Sequence, residues 1–117
     1  MTIEERIQEI ERAVRRFTFI RSIVRVDETR YSVKYRLGID PDLFVQLYFN
    51  VQTGTAGLVL IHQGRRIYGR DSENSHWHRH PYHDPDSHNE SPQGARAVSI
   101  EEFLTEVQAI LVQEDLV

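Results

Sequence analysis

One segment of the chain, SHWHRHPYHDPDSHNE at positions 75–90, holds five of the six histidines within thirteen positions. Imidazole gains and loses a proton near neutral pH, so histidines gathered in this way indicate acid–base catalysis or a metal site. The remaining alternative is a polar surface loop without chemistry. A density of five histidines in thirteen residues favours chemistry or ligand binding over that alternative.

Catalysis without a metal needs two positioned imidazoles. One would deprotonate a ribose 2′-hydroxyl and the other would protonate the leaving 5′-oxygen, which is the chemistry of RNA cleavage. We expect the acid and the base among four histidines of the segment: His76, His78, His80 and His83. The guanidinium groups of Arg70 and Arg79 would bind phosphate. Trp77 and Tyr82 would stack on an unpaired base, although the Trp77 ring is equally suited to anchor the segment to a sheet.

A zinc site is the alternative for the same segment. His76, His78 and His80 alternate, and in extended backbone their side chains would share one face, with successive Cα atoms roughly 7 Å apart. Three neutral imidazoles and a water molecule are a known zinc environment. Pro81 would distort the third position. Substitutes for that position are His83, Asp84 and His88.

Two amphipathic helices are predicted, one at each end of the chain. Apolar residues recur at steps of three and four in both of them. In the first helix they are Ile3, Ile7, Ile10, Val14 and Phe17, and in the second Phe103, Leu104, Val107, Ile110 and Leu111. Thr2 with Glu5, and Ser99 with Glu102, have the spacing of capping boxes, which marks where each helix begins.

Between the helices the apolar period changes to two, which is typical of strands. This alternation predicts strands at 31–39 and 43–51. The residues 19–26 are predicted as a hairpin partner of the first of these, the continuous apolar run at 57–62 as a central strand, and 65–70 as a short strand after the turn at 63–64. Short connections between them indicate an antiparallel meander, so we predict an α+β fold of order α-β-β-β-β-β-α, with five strands and both helices on one face. Residues 71–98 are predicted to form a loop, because their prolines oppose regular structure and long loops are often functional.

The length of 117 residues indicates a single domain spanning 1–117. The chain has no cysteine, which excludes disulfides and thiolate metal sites. The N-terminus lacks the apolar core of a signal peptide, and no run is long enough to span a bilayer, so we expect a cytoplasmic protein without membrane contact.

The net charge of −4 by itself argues against a nucleic-acid-binding protein, but the charge is unevenly distributed. Residues 1–83 hold 13 basic and 10 acidic side chains, whereas residues 84–117 hold one arginine and 8 acidic side chains. Such asymmetry is most often a solvated face and in other proteins accompanies nucleic-acid contact.

Outside the histidine segment we expect structural roles, for His62 at a strand end, Arg65 and Arg66 at a hairpin, and Tyr48 and Tyr68 in the sheet.

A resemblance to a known family rests on the first helix, the meander and two stretches, IYGRDSENSHWHRHPYHDPDSHN and VSIEEFLTEVQAIL. In these features the chain resembles the TumE family of toxin–antitoxin toxins. The family pattern has an Arg-Tyr-Asp-Asn segment before paired histidines; Arg70 and Asp71 match it, and the residues after them differ. The resemblance implies a growth-inhibiting toxin held inactive by a helix-turn-helix antitoxin. By analogy with toxins of similar size it implies an endoribonuclease that acts on RNA without a cofactor. Free strand edges in a meander further favour a homodimer.

Overall fold

The computed structural model describes residues 1–89 and 91–117. Over these residues the chain forms two helices and one antiparallel sheet of six strands, which are hydrogen-bonded in chain order. The elements are α1 (Ile3–Val14), β1 (Ser22–Glu28), β2 (Ser32–Asp40), β3 (Leu43–Asn50), β4 (Ala56–His62), β5 (Arg65–Glu73), β6 (His76–His80) and α2 (Ile100–Gln113). In the same residues, no helix is long and apolar enough to cross a bilayer.

Both helices begin at the predicted capping boxes. The Thr2 hydroxyl accepts from the backbone N–H of Glu5 at 3.1 Å, and the Glu5 carboxylate accepts from the backbone N–H of Thr2 at 3.0 Å. Ser99 and Glu102 repeat this arrangement at 3.0 and 2.9 Å. Each box satisfies two backbone donors that the first turn of a helix would otherwise leave unpaired.

Strand alternation gives the sheet two different faces. We call the side that packs against α1 and α2 the helix face; its buried side chains include Val33, Tyr35, Leu37, Val45, Leu47, Leu58, Leu60 and Tyr68. We call the opposite side the open face; it carries Lys34, Arg36, Phe44, Gln46, Tyr48, Val59 and Ile61. These seven side chains are half-buried or exposed, whereas the helix face forms the hydrophobic core.

A polar cluster joins the edge strand β1 to α1. The Tyr35 hydroxyl donates to the Glu11 carboxylate at 2.6 Å, and Arg25 contacts both groups at 3.0 Å. The hydrogen bond from Tyr35, together with Arg25, lowers the pKa of Glu11. A strand with every residue exposed is therefore held to the helix by charged and hydroxyl groups rather than by apolar burial.

The predicted α+β class and antiparallel meander are confirmed, but the predicted number of strands is wrong: the sheet has six where five were expected. Residues 71–73 continue β5, and 76–80 form β6, so this part of the predicted 71–98 loop is a hairpin. The sixth strand escaped prediction because it is polar on one face, and its two turn residues include no glycine or proline. The irregular part of the segment begins at Pro81.

Candidate active site

The β5–β6 hairpin positions the histidine segment. Its turn residues Asn74 and Ser75 have φ values of 52° and 65°, as a two-residue type I′ turn requires. From this turn, pairing places His78 opposite Asp71 and His80 opposite Gly69, so the alternating histidines point to the open face. The extended geometry considered for HWHRH is therefore the observed one.

Asp71 contacts two imidazoles at once. Its Oδ1 lies 3.2 Å from Nδ1 of His78, and its Oδ2 lies 2.8 Å from Nε2 of His80. The His80 side chain is only 3% exposed, while those of His78 and Asp71 are 24% and 35% exposed. One carboxylate thus orients a buried ring and a second ring that reaches the surface.

Both ring nitrogens of His80 have a polar partner. Nδ1 is 3.0 Å from the backbone oxygen of Pro85, which accepts but does not donate, so a hydrogen on Nδ1 completes this bond. Nε2 is 2.8 Å from Oδ2 of Asp71. The two contacts hold the His80 ring in one orientation between Pro85 and Asp71.

A third imidazole joins from the irregular segment that follows β6. This segment turns back along the sheet edge, where Arg79 and Asn89 exchange two backbone hydrogen bonds of 3.3 and 2.8 Å. The turn brings the exposed ring of His88 within 5.4 Å of His78 and 4.7 Å of His80, measured between ring centroids. We call Asp71, His78, His80 and His88 the histidine cluster. His88 was not among the predicted catalytic residues, because the contact depends on the tertiary turn.

Arg66 lies beside the histidine cluster, although no sequence pattern separates it from the other hairpin arginine, Arg65. It pairs with Ile61 and faces the open side of the sheet. A Cβ atom on Gly69 would lie 3.7 Å from Cδ of Arg66 and 3.9 Å from Cβ of His80, so the two side chains flank the same glycine. Arg66 is 37% exposed, and its contact with the largely exposed Asp86 is 4.0 Å long. Its guanidinium is thus suited to bind an anion.

Two of the predicted catalytic histidines lie outside the histidine cluster. His76 is exposed at the turn end of β6, opposite Glu73. His83 is exposed in the following turn, and its ring packs edge-on against Tyr82 at 5.8 Å. Of the four predicted histidines, the structure therefore brings together His78 and His80.

Trp77, Arg79 and Tyr82, predicted to contact RNA, are not placed to share a ligand with the histidine cluster. Trp77 and Arg79 alternate with the histidines and so point to the helix face. Trp77 packs against the hydrophobic core and lines a cleft with Phe49, as the anchor alternative requires. The Tyr82 ring is also partly buried against the core.

Arg70, the other predicted phosphate ligand, is fully buried on the helix face. Its guanidinium donates to both carboxylate oxygens of Glu106 on α2, at 3.2 and 2.6 Å, and to the backbone oxygen of Gln93 at 2.9 Å. The Tyr68 hydroxyl donates to the same carboxylate at 2.8 Å. Burial, followed by this bond, raises the pKa of Tyr68 to about 12. Arg70 is thus engaged in joining β5, α2 and the segment before α2.

The zinc alternative would require a rearrangement at His80. Both ring nitrogens of His80 are within hydrogen-bond distance of other groups, so His80 would have to break contacts before it bound a metal. Within residues 1–89 and 91–117, no group of three or more His, Cys, Asp or Glu side chains is arranged to hold a metal ion. The set His76, His78 and His80 stays a prediction.

Comparison of the chain with family models, curated proteins and solved structures finds no match. The resemblance to the TumE family therefore stays a prediction that rests on the residues quoted for it.

Proposed function

We propose that this protein is a metal-independent endoribonuclease and that the histidine cluster is its active site. The observation that carries the proposal is the grouping of three imidazoles: His78 and His80 contact the Asp71 carboxylate at 3.2 and 2.8 Å, and the ring of His88 packs against both. An aspartate that orients a partly exposed histidine is a common arrangement for a general acid or base. The resemblance to the TumE family supplies RNA as the substrate class.

The reaction needs one imidazole as base and one imidazolium as acid. His78 and His88 are the two more exposed rings of the histidine cluster, and we assign these roles to them as a pair. The base takes the proton of a ribose 2′-hydroxyl, and the oxygen attacks the adjacent phosphorus. The bond from phosphorus to the 5′-oxygen breaks, and the acid protonates that oxygen. The products are a 2′,3′-cyclic phosphate and a 5′-hydroxyl, with no net change in protons.

The other nearby residues hold the reacting groups in place and balance charge. Asp71 and His80 fix the orientation of the site through their 2.8 Å contact. Arg66 would contact the non-bridging phosphate oxygens, since a guanidinium matches their geometry and neutralises developing negative charge. Each of these roles uses a side chain on the open face.

The test is incubation of the purified protein with end-labelled single-stranded RNA in the presence of EDTA. We expect cleavage to persist in the chelator and to leave 2′,3′-cyclic phosphate and 5′-hydroxyl ends. His78→Ala and His88→Ala should each lower the rate by at least about 100-fold, the usual contribution of one general acid or base.

His83→Ala is the matched control, because it removes an exposed histidine from the same segment outside the histidine cluster. Its rate should equal that of the unmodified protein. Intact RNA under all conditions would overturn the proposal. Bound zinc in the purified protein together with intact RNA would instead support a non-enzymatic metal-binding domain.

The biological role that we propose is that of a cytoplasmic toxin neutralised by a helix-turn-helix antitoxin. This part rests on the resemblance to the TumE family alone. Induced expression should arrest growth, and the His78→Ala variant should not. Normal growth at high expression of the unmodified protein, or the absence of a small helix-turn-helix reading frame beside its gene, would count against this role.

A further inference from the structure

The open face carries two rows of side chains that run across the strands toward the histidine cluster. Cross-strand pairing defines the first row as Lys34, Tyr48, Gly57, Asp71 and His78, from β2 to β6. The second row is Arg36, Gln46, Val59, Gly69 and His80. Each row begins with a cation, passes a glycine and ends at a histidine of the proposed active site.

The first row contains a shallow depression at Gly57. A Cβ atom at this position would meet only the Cβ of Tyr48, at 3.9 Å, so the surface is open between Tyr48 and Asp71. The Tyr48 side chain is half-exposed and borders the depression on one side. Four inter-strand steps separate Lys34 on β2 from His78 on β6, so the row spans roughly 19 Å at the usual distance between neighbouring strands.

We propose that this first row is the binding track for single-stranded RNA, with one base stacked on Tyr48, the backbone crossing Gly57 and a phosphate bound by Lys34. The proposal deepens the ribonuclease function and rests on it for the choice of RNA. Aromatic rings bind unpaired bases by stacking, and lysine neutralises phosphate. Asp27, the partner of Lys34 on β1, places a negative charge beyond the lysine and ends the track there.

The charges on the open face favour a polyanion over a basic or neutral partner. Lys34, Arg36 and Arg66 all belong to this face, and Arg36 lies over the Phe44 ring with its guanidinium carbon 4.2 Å from the ring centre. A single strand fits better than a duplex, because the bases of a duplex are stacked on each other and are not free to contact Tyr48. The track leads into the histidine cluster, where the scissile phosphate would lie.

The experiment measures binding separately from cleavage. A fluorescent eight-nucleotide RNA with 2′-O-methyl groups lacks the attacking hydroxyl, so its Kd from fluorescence anisotropy does not depend on catalysis. We expect Tyr48→Ala to raise this Kd about tenfold, as removal of one stacking ring typically does. Gly57→Val should raise it by a similar factor, because the new side chain would fill the depression without meeting backbone atoms.

Lys34→Gln should reduce the slope of log Kd against log salt concentration by about 0.7, the value for one phosphate contact to a single strand. Two variants provide controls on the helix side of the molecule. Tyr31→Ala removes an exposed aromatic ring that lies two residues before the core residue Val33 and therefore on the helix side of the sheet. Arg12→Gln removes an exposed cation of α1. Both should leave Kd and its salt slope within twofold of the unmodified protein.

Unchanged Kd in both Tyr48→Ala and Gly57→Val, with circular dichroism showing folded protein, would overturn the track. Equal or tighter binding of a duplex of the same sequence would also overturn it. Cleavage of an unmodified dinucleotide, which is too short to span the row, reports on the histidine cluster alone. If the dinucleotide is not cleaved while Tyr48→Ala and Gly57→Val still raise the Kd, the ribonuclease function is excluded and the binding track is retained. The two failures are therefore distinguishable.

Discussion

Asp71 is the residue on which the geometry of the histidine cluster depends, because each of its carboxylate oxygens contacts a different imidazole. Both rings lie on β6 two residues apart, and Asp71 on β5 pairs directly with the first of them. The carboxylate therefore sets the rotation of both rings relative to the sheet. Such an orienting residue affects catalysis through the two imidazoles that it holds.

Replacement of Asp71 by asparagine tests this role. An amide has one oxygen and one NH₂ group, so it can no longer accept from both rings, and one imidazole must change its tautomer or orientation. We expect the RNA cleavage rate to fall by about 100-fold or more, while the Kd for 2′-O-methyl RNA stays within about threefold. Single-turnover kinetics and anisotropy provide the two measurements.

Glu73→Gln is the matched control for Asp71→Asn, since Glu73 is an exposed carboxylate on the same strand, opposite His76 at the hairpin turn. Its cleavage rate should be unchanged. An Asp71→Asn variant as fast as the unmodified protein would exclude an orienting role for the carboxylate.

Residue types alone could not distinguish the arginines of this chain. Arg66 and Arg70 lie four residues apart. Arg70 is fully buried and donates to Glu106, whereas Arg66 borders the histidine cluster. The irregular pairing between Leu60 and Ile61 places Arg66 on the open face, and Glu106 is supplied by a helix 36 residues further along the chain. Neither contact leaves a signal in the sequence near the arginine itself.

At the scale of elements, the two hairpins on either side of β5 have nearly the same turn but different residues. Gln63 and Gly64 connect β4 to β5 with φ values of 52° and 77°, and Asn74 and Ser75 connect β5 to β6 with 52° and 65°. Left-handed backbone is accessible to glycine at little cost and is strained for serine. The second hairpin therefore contains a strained residue that the first avoids.

A reciprocal exchange tests this difference. We expect Ser75→Gly to raise the free energy of unfolding by about 1 kcal/mol, and Gly64→Ser to lower it by about 1 kcal/mol. Urea denaturation followed by circular dichroism provides the measurement. A loss of stability in Ser75→Gly would show that the serine side chain contributes more than the strain removes.

The hydrogen bond from Tyr68 on β5 to Glu106 on α2 predicts that the free energy of unfolding falls at alkaline pH. The pKa of Tyr68 is raised from 10.0 to about 12 by burial and by its bond to Glu106. The folded state therefore keeps the proton that the unfolded chain loses above pH 10, and this contribution to stability, complete below that pH, is lost as pH rises toward about 12. Tyr68→Phe should flatten the decline between these two values.

The free energy of unfolding at several pH values between about 9 and 12 measures the slope. Tyr31→Phe is the control, because Tyr31 is exposed and lies at the end of the sheet. A slope identical in Tyr68→Phe and the unmodified protein would contradict the assignment to Tyr68. Some decline should remain in Tyr68→Phe, since burial also raises the pKa of Tyr35.

The elements were predictable where one face is apolar, and less so elsewhere. The capping pairs Thr2 with Glu5 and Ser99 with Glu102 marked both helix starts. Apolar alternation located β2 and β3, a continuous apolar run located β4, and the turn at 63–64 located the start of β5. In β6 the alternation was visible as HWHRH, but its buried side chains are Trp77 and His80 rather than a row of aliphatic residues. Strand β6 is stabilised by its pairing with β5 and by the contact of His80 with Asp71, so its sequence shows no hydrophobic period.

At the scale of the whole molecule, the sheet separates two chemical environments. The helix face is filled by the core and by the buried contact of Arg70 with Glu106, whereas the open face carries the histidine cluster and the proposed RNA track. The segment after β6 contributes to both sides, because His88 reaches the open face and the backbone of Gln93 binds Arg70. This segment therefore connects the histidine cluster on the open face to the buried Arg70 on the helix face.

The two edges of the sheet differ in a way that predicts self-association. The β6 edge is partly covered by the exchange of backbone hydrogen bonds between Arg79 and Asn89. The β1 edge is exposed along its length and carries Ile23, Val24 and Val26 at 43%, 51% and 51% exposure. An apolar edge strand without such cover is a template for pairing with another strand, and a second copy of β1 would extend the sheet.

We expect light scattering after size exclusion to show a dimer at high protein concentration, with a mass of twice 13.8 kDa. Val24→Lys should shift the equilibrium to the monomer, because like charges would meet across the paired edges and lysine at an edge opposes pairing. Val112→Lys, which changes a valine on α2 that is 70% exposed, is the control and should remain dimeric. A monomer at every concentration, or a dimer that Val24→Lys leaves intact, would exclude pairing through β1.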